Sequence, residues 1–88
     1  MKQNLYFVEI TNTCGGEANY SWVTRHCVTA SSVRGAMWKV SRDSGISWHC
    51  VGDYGDTMRY DSKLGATCAF ITEWDNDIHS QYSRINKI

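Results

Sequence analysis

Two His-Cys dipeptides, His26-Cys27 and His49-Cys50, twice set zinc-ligating side-chain types next to one another in a short chain. Each pair falls in a stretch of strand character. Adjacent side chains of a strand point to opposite faces, so the His and Cys of one pair cannot converge on one ion. No C-x-x-C or H-x-x-x-H spacing brings two ligands together locally, and no metal site is assigned. A thiolate–imidazole nucleophile would need a cysteine in an electropositive pocket with an oriented histidine beside it. Every cysteine except Cys14 lies in a predicted strand, where burial makes a thiol inert, and nothing resembles a nucleophile elbow. The sequence therefore assigns no catalytic residue and no cofactor, and reads as non-enzymatic. The histidines are expected to be half-exposed beside buried thiols. Asp53, Asp56 and Asp61 lack the alternating oxygen pattern and closing glutamate of a calcium loop.

Recognition is the better-supported chemistry. Arg34, Trp38 and Arg42 recur at i, i+4 and i+8, a tryptophan between two arginines on one side of a predicted helix. Tyr54, Arg59 and Tyr60 lie in Gly52–Asp61, a loop or irregular edge in which Met58 and Tyr60 could extend a short strand, with the Tyr and Arg content of protein interfaces. These six residues are the candidate binding set. Alanine at Arg34, Trp38 or Tyr60 is expected to leave the fold intact.

The helix that must position the first three spans about residues 32–44. Ser31 or Ser32 can cap it and Gly45 can end it. Val33, Ala36, Met37, Val40 and Ser44 form a narrow stripe of small or apolar residues opposite the arginines. Strand patterns flank it. Leu5–Thr11 places Tyr6, Val8 and Ile10 on its core side, and Gly15-Gly16 marks a turn into a second strand, Tyr20–Ala30. Ile46–Val51 and Ala66–Trp74 supply two more. Asp75-Asn76-Asp77 offers a cap to a short C-terminal helix over 78–85, with a frayed tail as the alternative. The expected fold is α+β: a four-stranded, mostly antiparallel sheet in β-β-α-β-β order, with the helix packed on one face. The second face, with Phe7, Trp22, His26 and Val28, is left uncovered for a partner or a second copy of the chain.

Eighty-eight residues with 42% hydrophobic content suit one domain over residues 1–88. The formal net charge of zero lacks the basic excess of a dedicated nucleic-acid binder, so direct nucleic-acid binding is the less favoured alternative. No segment has the length of a membrane span and the N-terminus lacks a leader pattern, so cytoplasmic location with free thiols is expected.

The order of Leu5–Thr11, Tyr20–Ala30, a Ser-Ser-x-x-x-Ala helix start at Ser31–Ala36 and Ile46–Val51 resembles that of small phage-encoded inhibitors of type I CRISPR–Cas effectors. The resemblance is one of layout over the first half of the chain. It implies a phage protein in the host cytoplasm that blocks a host defence complex by occupying a protein surface, and it carries over no functional residue.

Overall fold

A computed structural model describes residues 2–88. Its elements are β1 (Asn4–Cys14), β2 (Glu17–Ala30), α1 (Val33–Ser44), β3 (Trp48–Asp53), β4 (Thr57–Ser62), β5 (Thr67–Glu73), the one-turn α2 (Asn76–His79) and β6 (Asn86–Lys87). The strands make one sheet of six in the order β3-β4-β5-β1-β2-β6, antiparallel throughout except that β6 runs parallel to β2. The expected four-stranded α+β sheet is thus corrected to a mostly β, six-stranded mixed sheet.

Two segments account for the difference. Thr57–Ser62, expected as loop or irregular edge with a short strand through Met58 and Tyr60 left open, is a full strand because those two residues alternate onto the core side. The preceding turn closes where the Asp53 carboxylate accepts the Gly55 N–H at 2.9 Å and Gly55 takes φ 91°. The C-terminal helix stops at His79, after one turn. Ile78 is exposed, so a helix continued past His79 would gain no burial there. The chain instead pairs with the outer side of β2, where the Ile88 N–H donates to the Cys27 carbonyl at 2.9 Å and the Ile88 carbonyl accepts the Thr29 N–H at 3.1 Å.

Of the two cap candidates for α1, Ser32 accepts the Gly35 N–H at 3.0 Å, and Gly45 closes the other end in the left-handed conformation. The helix buries Ala36, Met37 and Val40 against Val8, Val28 and Ile71 of the sheet. His26 and Val28 lie on this helix side, not on the second face as expected. The second face is covered in part. The segment from Trp74 to Tyr82 crosses it, stacking His79 on Phe7 (4.1 Å between ring centres, planes 4° apart) and Tyr82 alongside (5.3 Å). Arg25 lies over Tyr82 at 4.2 Å and pairs with Glu9 at 3.1 Å. Among the described residues, no helix is long and apolar enough to cross a membrane.

Where β1 and β2 diverge, Asn12 stands opposite the bulge 19–22. Fully buried Thr11 holds it, its hydroxyl accepting from Tyr20 N–H at 3.0 Å and donating to the Trp22 carbonyl at 2.9 Å. Tyr20 sits there at φ 57°, a conformation a side chain adopts only when its surroundings fix it.

His79 gives this covering a pH dependence. Its Nδ1 accepts the Asp75 N–H at 2.8 Å, a bond only the neutral ring can make. Burial lowers its pKa, against a smaller raising effect from Asp75 and Glu9. The unfolded chain takes up protons at the ordinary histidine value of about 6.5 while the folded chain resists, so stability is full above that pH and falls below it. Burial lowers the pKa of His26 in the same direction. The melting temperature should therefore fall between neutral pH and pH 5. His79→Phe, which keeps the stack, should make that fall shallower; an unchanged slope would show that His79 does not carry it.

Candidate functional site

At the β3 end of the sheet α1 stands off from the strands and leaves a groove of about 580 Å³. Arg34, Met37 and Trp38 line it from the helix, Trp48 and Cys50 from β3, and Tyr60 from β4. Lys63, in the turn after β4, stands at its mouth. The helical spacing explains one wall: Arg34 and Trp38 are i and i+4, and Met37 turns from the groove into the core. Strand alternation explains the other. Trp48 and Cys50 share a face of β3, and Cys50 stands opposite Tyr60 on β4.

The groove is cationic. Neither Arg34 nor Lys63 has an ion-pair partner among the described residues, and no carboxylate lines the groove. Its floor is aromatic. Tyr60 is 9% exposed; burial raises its phenol pKa, Cys50 adds to the rise and Arg34 draws it back. The indole N–H of Trp48 is buried without a hydrogen-bond partner among the described residues. Trp38, 61% exposed, carries the Arg42 guanidinium over its ring at 4.9 Å. The arrangement can hold an anionic group against aromatic walls.

The candidate set is thereby divided. Arg34, Trp38 and Tyr60 come together at the groove, and Arg42 joins them through Trp38. Arg59 does not. It is on the opposite face of β4, its Nε on Asp61 at 2.9 Å and its Nη2 on the Gly16 carbonyl at 2.6 Å, where it ties β4 to the β1–β2 turn. The Asp61 hydrogen bond is also the largest cause holding the Arg59 pKa above its ordinary value. Tyr54 is exposed at the β3–β4 tip and folds back over Gly52, where a Cβ would come within 2.8 Å of its hydroxyl. Trp48 and Lys63 are groove residues that sequence reasoning missed. Lys63 had a signal, as the one cation of the Ser-Lys-Leu-Gly turn, but only the hairpin aims that turn at the helix.

Strand alternation splits the His26-Cys27 pair, whereas His49 and Cys50 both line the groove. His26 is buried on the helix side, with Nε2 3.2 Å from the Thr24 hydroxyl. Cys27 is half-buried on the other, its thiol pKa raised by burial. Cys50 is exposed, contrary to expectation, because β3 is an edge strand. All four cysteines are free, and no group of three or more metal-ligating side chains occurs among the described residues. Comparisons with family models, curated proteins and solved structures found no match to this chain.

The burial of Tyr60 corrects the expectation that its alanine variant leaves the fold intact. Tyr60→Ala empties part of the core and should cost about 3–5 kcal/mol in urea unfolding. Trp38→Ala should cost no more than about 1 kcal/mol, since it removes an exposed ring and one cation–π contact. Equal losses for the two variants would contradict the assignment of floor and rim.

Proposed function

We propose that this chain is a non-enzymatic protein-binding module that takes an acidic segment of a partner into the groove between α1 and β3. The carrying observation is the pairing of two unpartnered cations, Arg34 and Lys63, with aromatic walls and no lining carboxylate. Arginine, tryptophan and tyrosine are the side chains through which protein interfaces anchor, and a cation without an internal partner favours an acidic one. The separation of His26 and Cys27 onto opposite faces supports the non-enzymatic reading.

The more specific form of this reading is a phage-encoded inhibitor that occupies a surface of a host defence complex such as a type I CRISPR–Cas effector. It rests on the order of hairpin, helix and strand over the first half of the chain. It also names the lysate to use. Affinity isolation from a bacterial lysate should retain a specific protein on the wild-type chain. Arg34→Glu/Lys63→Glu should weaken that retention by about tenfold or more, the equivalent of about 1.4 kcal/mol, with Arg84→Glu as an unaffected control. Equal retention by the charge-reversed chain would remove the groove from the account. Recovery of nucleic acid alone, released steeply as salt rises, would replace it with the nucleic-acid reading.

A further inference from the structure

β3 is the last strand at its end of the sheet and has one long side without a neighbour. The other end is closed by β6, two residues long. Lys63 N–H donates to the Ser47 carbonyl at 3.0 Å, which makes Trp48↔Ser62 a pair of the non-hydrogen-bonded kind in the antiparallel ladder. By the alternation of that ladder, His49 turns its backbone N–H and C=O toward Asp61. Trp48 and Cys50 turn theirs to the open side, and no hydrogen bond among the described residues claims them. A lysine, a proline and a covering segment, three of the devices that guard an edge, are missing from Trp48 to Val51, and the bulge at Val51 confines the free run to Trp48–Cys50. The flat run ends where the register shifts at Val51, itself 47% exposed.

We propose that this edge accepts an extended acidic segment of another protein as a seventh strand; the inference rests on the reading of the groove as the binding site. Main-chain bonds to Trp48 and Cys50 would hold the segment. Its residues opposite those two would point to the same side of the sheet as Trp48 and Cys50, with Cβ atoms roughly 4.5–5.5 Å away. That is the groove side, so alternate acidic residues enter the space that Arg34 and Lys63 border. A second copy of the chain fits less well. Two-fold pairing of β3 with itself brings both copies' Arg34 and Lys63 toward one space, like charge against like.

The test titrates the isotope-labelled protein with a blocked peptide of about ten alternating Glu and Val residues, followed by NMR. A second peptide carries N-methyl groups on every Glu, which removes the donors that would face β3 while leaving the charges. The first peptide should shift the Trp48 and Cys50 amides and slow their exchange. N-methylation should weaken it by about tenfold or more, and so should Arg34→Glu/Lys63→Glu. If both peptides bind alike and charge reversal still weakens them, the added strand is wrong and the groove reading stands. If charge reversal has no effect, or neither peptide binds at millimolar concentration, the groove reading falls and the added strand with it. Concentration-dependent protection of Trp48 and Cys50 without peptide would make a second copy the occupant and overturn the proposal.

Discussion

Phe7 and Val8 are neighbours on β1 and both are buried, on opposite faces of the sheet. A strand with two buried faces needs two coverings, and the rest of the chain is arranged to supply them. One is α1, whose small residues Ala36 and Val40 let the helix approach β1 and β2 closely over Val8 and Val28. The other is the segment from Trp74 to Tyr82, which lays His79 and Tyr82 on Phe7. The second covering also accounts for β6: a chain that crosses β1 and β2 on the far face arrives at the outer side of β2 and pairs there.

Saturation at the centre leaves the unsatisfied groups at the periphery. β1 is paired on both sides, by β5 and β2, and Thr11 ties down the bulge with both its donor and its acceptor. β3 has no such neighbour, and α1 packs more closely on the β2 side than on the β3 side. The groove and the open edge therefore share one origin. The helix is committed to β1 and β2, so the far end of the sheet keeps an uncovered corner where Arg34, Lys63 and the outward amides of β3 meet.

What could be read from the sequence is what depends on local spacing. The α1 stripe, its caps and the inward set Tyr6, Val8 and Ile10 follow from periods of 3.6 and 2 and appear where those periods place them. β4 was only half legible, because its glycine- and aspartate-rich approach weighed against two alternating apolar residues, Met58 and Tyr60. The role of His79 was hidden because stacking on Phe7, far away in sequence, depends on a crossover no local pattern announces. For the same reason Arg59 read as a binding residue when its donors are held by Asp61 and Gly16. The groove was legible in its helix side and in Tyr60. Its strand wall required knowing that β3 is an edge.

Strand addition at β3 requires that edge to be open in the protein alone. Native-state hydrogen exchange at single-residue resolution reads it directly. A protected amide is expected at His49, which bonds β4, between fast-exchanging amides at Trp48 and Cys50. Protection at Trp48 and Cys50 equal to or greater than that at His49, in dilute protein without a partner, would contradict it.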